Sequence, residues 1–220
     1  MATTVVVGAS RGIGLAVCKR LQARGDDVIG VCRKAPAELA GSGVEVVEGI
    51  DVTSDQSVAE LARRLAGRNV DALYVVAGIL EHTRLDALDF ARLREQFEVN
   101  ALGPLRVTSA LLPTLHGGSK VALFTSRMGS VGDNTSGSHY GYRMSKAALN
   151  IAGVSLAHDL RAREIAVVLL HPGFVRTEMT GGNGDVTAEE SAAGCIARVD
   201  ELTLATSGRF LHASGAVLPW

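Results

Sequence analysis

The segment GSHYGYRMSKAALN, residues 137 to 150, holds two tyrosines and one lysine. On a helix, side chains four apart share a face and those six apart do not. Lys146 can therefore serve Tyr142 but not Tyr140. A free phenol, with a pKa of about 10, is a poor acid at neutral pH. An ammonium about 4 Å away, at an effective dielectric of about 20, favours the phenolate by roughly 4 kcal/mol, or about three pKa units. Burial works against that shift. The same spacing also occurs in idle surface pairs, so the neighbours decide.

Ser126, in FTSRMGS, ends an apolar β run. The carboxyl ends of strands are where open α/β sheets bind ligands, and a hydroxyl there can hydrogen-bond a carbonyl or an alcohol. Asn100, in FEVNALG, lies inside a helical stretch. A polar side chain in that place is either a bend device or a water anchor, and composition does not choose.

A second constellation opens the chain. VVGASRGIG, residues 6 to 14, follows a strand and starts a helix, with spacing Gly8-x3-Gly12-x-Gly14. Glycines there allow a tight turn and bring a pyrophosphate close to a helix N-terminus. The alternative is a plain strand-to-helix turn, which three glycines within seven residues argue against. The next strand ends at Cys32-Arg33-Lys34. An NAD site usually carries an acid at this end, for the ribose 2′-hydroxyl. Here Cys32 stands there, and Arg33 with Arg11 suits a 2′-phosphate, hence NADP. The alternative is that Arg33 and Lys34 form a solvated turn.

These residues need elements to hold them. The pattern predicts strands over 3–7, 27–32, 44–49, 71–78, 120–126, 165–171 and about 209–211. It predicts helices over 12–25, 54–67 (Ser54 as N-cap), 88–115 with a bend near Gly103-Pro104, 142–162 and about 187–198. Alternating strand and helix implies a parallel sheet covered on both faces. TGGNGDVT, residues 180–187, is the loosest run and predicts a short substrate flap near 178–190 within one domain spanning 1–220.

The bulk numbers fit a globular α/β chain of 220 residues, 47% hydrophobic and 20% charged. A net charge of −1 leaves no electrostatic footprint for nucleic acid or anionic membrane. No apolar run reaches the ~20 residues of a membrane span, and MATTVVVGAS lacks a signal-peptide pattern. Three scattered cysteines fit small buried hydrophobes in a reducing cytoplasm. His139 and His171 lack metal-ligand spacing, so no metal is expected.

Taken together, the chain resembles the short-chain dehydrogenase/reductase family over essentially its whole length. Gly8-Ala9-Ser10-Arg11-Gly12-Ile13-Gly14 matches the cofactor loop, and Asp51-Val52 the adenine-contacting acid. Asn100, Ser126, Tyr142 and Lys146 match the catalytic tetrad in order. Pro172-Gly173-Phe174-Val175-Arg176-Thr177 matches the P-G-x-V-x-T segment that holds the nicotinamide carboxamide. YRMSKAALN, HPGFVRT and the ending Leu218-Pro219-Trp220 resemble the C-factor and sniffer-type carbonyl reductase branch.

The resemblance implies a Rossmann-type doubly wound parallel sheet of about seven strands and NADPH-dependent reduction of an aldehyde or ketone to an alcohol. Tyr142 would be the acid and Ser126 would orient the carbonyl. Lys146 would lower the tyrosine pKa and bind the nicotinamide ribose, and Asn100 would hold a water. It also implies a homodimer or homotetramer through the helices at 88–115 and after Tyr142, with Ala147, Ala148, Ala152 and Gly153 at the contact; packing against the sheet is the alternative use of those small residues.

Two departures stand out. Val75-Val76-Ala77-Gly78 replaces the usual N-N-A-G, although Ala77 and Gly78 still allow close approach of a cofactor. Ser126 and Tyr142 are 16 apart instead of about a dozen, which predicts a loop over the substrate around Gly132 to Ser138. A competing reading is a cofactor-binding regulator or signalling protein with incidental turnover. A sugar-nucleotide epimerase would need more chain than the tail beyond Thr177 offers.

Overall fold

The computed structural model describes residues 2–220. Seven strands form one all-parallel sheet in the order β3-β2-β1-β4-β5-β6-β7. They are β1 (Thr3–Val7), β2 (Asp27–Val31), β3 (Glu45–Val47), β4 (Val70–Val75), β5 (Leu115–Phe124), β6 (Ala166–His171) and β7 (Phe210–His212). The order reverses between β1 and β4, so the crevice at their carboxyl ends is the topological switch point, where such sheets bind ligands. This is the doubly wound Rossmann-type sheet expected.

The helices are α1 (Gly12–Arg24), α2 (Ala37–Ala40), α3 (Asp55–Arg64), α4 (Phe90–Phe97), α5 (Gly103–Leu111), α6 (Tyr140–Asp159) and α7 (Ala188–Asp200). Alternate strand residues feed two cores. Val5, Val7, Ile29, Leu73 and Leu123 pack with α3, α5 and α6 through Val58, Val107 and Leu149. Val6, Val28, Tyr74 and Phe124 pack with α1 and α7 through Leu15, Val17 and Ile196. Ser54 caps α3, accepting from the Ser57 N–H, as its position predicts.

The predicted 88–115 helix is broken. A π-helical turn, Glu98–Leu102, separates α4 from α5, and a 3-10 turn, Leu112–Thr114, follows α5. Pro104 has no N–H to give the carbonyl of Asn100 four residues back, so the ladder loosens there. The distortion falls on Asn100 and not on Gly103-Pro104 alone. Predicted strand ends also move: β4 stops at Val75, and Ser126 lies past the end of β5. Conversely, α6 starts two residues earlier than predicted, at Tyr140.

The small residues of α6 divide. A Cβ on Gly153 would lie 2.7 Å from Leu169 Cδ2 and 3.1 Å from Leu123 Cδ1, so Gly153 seats the helix on the sheet and is no part of an outer face. Because Leu169 is fully buried, it has little room to yield. Gly153→Val is expected to lose about 1–3 kcal/mol of stability by overpacking. Denaturant unfolding measures it, and an unchanged midpoint would contradict this packing.

Candidate active site

The site grows from the carboxyl ends of β1, β4 and β5. After β1, Gly8 N and Ala9 N both donate to Val31 O, at 2.9 and 3.1 Å. This bends the chain sharply enough to need φ +98° at Gly8, where a Cβ would lie 2.6 Å from Ala77 N. A Cβ on Gly14 would lie 2.1 Å from Gly8 O. The glycine spacing is thus dictated by backbone meeting backbone.

The loop opens on a cleft of about 430 Å³. Gly8, Ser10, Arg11, Gly12, Ile13, Gly14, Arg33, Asp51, Val52, Ala77, Gly78 and Thr177, all singled out in the sequence, line it. Thr177 closes it from the far side, touching the position that a Gly12 Cβ would take. Pro172, Gly173 and Val175 do not line the cleft. Pro172 O accepts from Ser191 Oγ at 2.7 Å, and Val175 is buried and bridges to Val186, so they set the path of the chain into Thr177.

The mouth of the cleft carries charges of both signs. Asp51 turns inward to its own loop, accepting from Thr53 N at 2.9 Å and Thr53 Oγ1 at 2.8 Å. The Thr53 N–H first, with the hydroxyl and the Arg33 and Arg106 charges, holds its carboxyl below the usual range. Arg33 is exposed and its guanidinium has no hydrogen-bond or carboxylate partner among the described residues. Arg11 pairs with Glu178 across the cleft mouth, and both are exposed. Cys32 also lines the cleft, so it is more than a packing residue; Cys18 and Cys195 are fully buried in the second core.

The other end is built on Asn100, which is wholly buried. Its Oδ1 accepts from Ile79 N and its Nδ2 donates to Ile79 O, both at 2.8 Å. Nδ2 also reaches Ser145 Oγ at 3.0 Å, and Ser145 Oγ donates to Tyr142 O at 2.8 Å. Asn100 thereby fixes the chain after β4, the support that Val75-Val76 cannot give as side chains. Gln96, one turn earlier, accepts from Glu81 N at 3.0 Å and extends the same grip.

Tyr142, Lys146 and Asn150 follow one another at four-residue steps on α6, all buried. Lys146 Nζ donates to Phe124 O at 2.8 Å. Asn150 Oδ1 accepts from Thr125 Oγ1 at 2.6 Å, and its Nδ2 donates to Gly129 O at 3.4 Å. Ser126 Oγ accepts from Met128 N and starts a 3-10 turn, Arg127–Gly129, that lies directly on α6. A Cβ on Gly129 would lie 2.7 Å from Lys146 C. A Cβ on Gly78 would lie 3.2 Å from Asn100 Oδ1 and 3.5 Å from Lys146 Nζ. Asn100 and Lys146 therefore back onto the cleft at Gly78.

Electrostatics here departs from the reading of the Tyr–Lys pair. Lys146 Nζ is 5.7 Å from the centre of the Tyr142 ring. Burial pushes the phenol up to about 12, opposed only by its hydrogen bond to Ser126. Burial pushes the lysine down to about 7. Each group is driven toward its neutral form, because desolvation outweighs an ammonium that points at a carbonyl.

Asn150, Ser145 and Gln96 were missed in the sequence. Asn150 had a signal, since it continues the Tyr142, Lys146 series by one more turn. Gln96 likewise precedes Asn100 by one turn. Tyr140 sits half-buried in the first turn of α6, and His171 at the end of β6 is 5.2 Å from His212. Among the described residues, no group of three or more His, Cys, Asp or Glu could hold a metal ion, and no helix is long and apolar enough to cross a membrane.

The lysine gives a test of these surroundings. Unfolded, its ordinary value is 10.5; folded, it is about 7. Between these values the unfolded chain binds a proton that the folded chain does not, so stability rises with pH. The cost of burying the ammonium is full below about pH 7. Lys146→Met is therefore expected to raise the melting temperature at pH 6 by at least about 2–4 °C, the effect of ~1 kcal/mol in a domain of this size. The gain should shrink by pH 9. A gain that grew with pH would overturn this account.

Comparison with known proteins agrees. The family model of short chain dehydrogenases matches residues 2–187. The 1-hydroxy-2-glutathionyl-2-methyl-3-butene dehydrogenase of Rhodococcus sp. (strain AD45) is 46% identical over 226 residues, covering all of both chains. C-signal of Myxococcus xanthus is 49% identical over 138 residues, 62% of this chain and 83% of C-signal. NADPH-bound carbonyl reductase from chicken fatty liver has a TM-score of 0.91 at 29% identity, over 100% of this chain and 99% of that one. The chain belongs to the short-chain dehydrogenases, on the side of the family that holds C-signal and the carbonyl reductases.

Proposed function

We propose that this chain is an NADPH-dependent reductase of aldehydes or ketones, with Tyr142 as general acid. The observation that carries the reading is the buried cluster of Ser126, Tyr142 and Lys146, whose lysine reaches to 3.5 Å from where a Gly78 Cβ would stand, Gly78 itself lining a cleft that also holds the unpartnered Arg33. NADPH supplies the hydride when bound. The residues fit it: the glycine loop leaves no Cβ between backbone and pyrophosphate, and Arg33 beside the neutral Cys32 suits a 2′-phosphate.

Ser126 orients the carbonyl by hydrogen bonding its oxygen. Tyr142 gives that oxygen a proton from its hydroxyl. Lys146 binds the nicotinamide ribose and replaces the phenol's proton, a task suited to an amine whose pKa lies near neutrality. Asn100 holds the loop after β4 through Ile79. The Rhodococcus relative, a dehydrogenase of a hydroxy compound, supports chemistry that runs either way with pH. The intact cluster supports an enzyme over a binding-only regulator, which has no use for a serine and tyrosine placed together. Around these helices, Phe90, Phe97, Leu102, Leu105, Met144 and Ile151 leave apolar surface exposed, which supports a homodimer or homotetramer.

Tyr142→Phe is expected to cut carbonyl reduction by at least about 10²-fold while NADPH binding persists. Tyr140→Phe should stay within a few-fold of wild type. A Tyr142→Phe enzyme as fast as wild type removes the assigned acid. Reduction should weaken as pH rises past about 7 and Lys146 loses the proton it passes on, and should fall outright only as the high-held phenol ionises, whereas alcohol oxidation should rise with pH. Opposite slopes would reverse the assignment. Arg33→Ala should weaken NADPH binding by about 10- to 150-fold, the loss of a charge-assisted phosphate contact, and leave NADH binding nearly unchanged. Fluorescence titration with both dinucleotides decides it, and equal losses would refute the phosphate contact.

A further inference from the structure

The segment joining Ser126 to Tyr142 ends in strained backbone. Ser138 and His139 have φ of +54° and +52°. Left-handed backbone in consecutive non-glycine residues persists only where the surroundings over-determine it, and such strain collects at functional sites. Both residues lie immediately before α6, and His139 N donates to Thr83 O at 2.8 Å.

One side chain ties this corner together. Arg143, next to Tyr142, donates from Nη2 to Ser136 Oγ at 2.9 Å and from Nε to Gly137 O and Ser138 O at 3.0 and 3.2 Å. Its Nη1 reaches Met128 O at 3.4 Å, in the turn that Ser126 caps. Its own N–H donates to His139 O at 2.9 Å. The guanidinium has no carboxylate partner among the described residues; neutral oxygens from two loops surround it. A planar fork with five donors can meet acceptors on several sides, which a lysine cannot. None of its acceptors belongs to the dinucleotide cleft.

We propose that Arg143 is a positioning residue: it locks residues 136–139 as one wall of the substrate site and ties that wall to the turn carrying Ser126, so that carbonyl affinity depends on it and dinucleotide affinity does not. This rests on the carbonyl-reductase reading. The extra length between Ser126 and Tyr142 is then a built wall, held in a conformation it would not keep alone.

The test uses Arg143→Lys, Arg143→Ala, and Arg143→Ala with Ser138→Gly and His139→Gly added. Amide hydrogen exchange, NADPH titration and steady-state kinetics on a small aldehyde are measured for each. Both single variants should raise KM by about 10-fold or more, from loss of charge-assisted hydrogen bonds, with kcat changed far less. NADPH affinity should stay near wild type, and exchange should quicken at residues 137–139. Glycine at both strained positions should recover much of KM, because glycine adopts left-handed backbone readily. Unchanged exchange and KM in both single variants overturn the proposal. Parallel losses in KM and NADPH affinity also overturn it, as general damage. Failure of the glycine pair to recover KM assigns Arg143 to direct charge contact with substrate instead. If wild type reduces no carbonyl, the functional reading fails, while the exchange measurement still tests the lock.

Discussion

A buried carboxamide that must be satisfied on every side governs this structure. Asn100 is wholly buried, and each polar atom left unmet in such a place costs about 1–3 kcal/mol. Its answer is to pair with both backbone groups of Ile79 and with Ser145. The chain after β4 is held where it passes the cleft, and the start of α6 is held through the Tyr142 carbonyl. The π-helical turn answers a separate demand, that of the Asn100 main-chain carbonyl. A regular helix running into Pro104 would leave the Asn100 carbonyl without its donor, and the wider turn carries that residue instead.

Around this anchor the site is dry and low in charge. Tyr142 and Lys146 both move toward neutrality, each because water is excluded. Such a pair keeps the proton on the phenol and brings the amine close to neutrality, without holding a buried ion pair whose desolvation its attraction must offset. The cleft is opposite in character, with the exposed Arg33 unpartnered among the described residues. A charged, exposed cleft thus stands against a buried polar cluster, with Gly78 between them.

Much of this was legible in the sequence. Alternation of apolar runs with amphipathic ones gave the parallel sheet, since strands buried on both faces read as continuous hydrophobic segments. The glycine spacing marked the cleft, and Ser126 with the Tyr142–Lys146 step marked the buried cluster beside it. What stayed hidden were effects that need three dimensions. A sequence cannot show that Lys146 points at Phe124 O, so the direction of the tyrosine shift was misread. Nor can it show that Gly153 meets Leu169 and Leu123 instead of another chain. The π-helical turn was half visible: Pro104 marked the disturbance, but its position depends on where Asn100 finds Ile79.

The two-faced core has a consequence for how the chain finds its strand alignment. Val5, Val6 and Val7 point alternately into two cores, and both cores are apolar. In a sheet with one wet face, a slip of one residue would put polar groups inside and be rejected. Here such a slip only exchanges valine for valine, so hydrophobicity is nearly blind to it. The information that rejects a misaligned strand must lie at the strand tips: Gly8 N and Ala9 N on Val31 O, Ala77 N on Val7 O, Cys32 N on Val47 O, and Thr125 N on Leu170 O. Of those tips, Val7, Gly8, Val31, Cys32 and Ala77 also line the cleft. Selection on the chemistry and selection against misthreaded sheets thus act on the same few peptide groups, and remodelling this pocket for a new substrate loosens the proofreading of the fold itself.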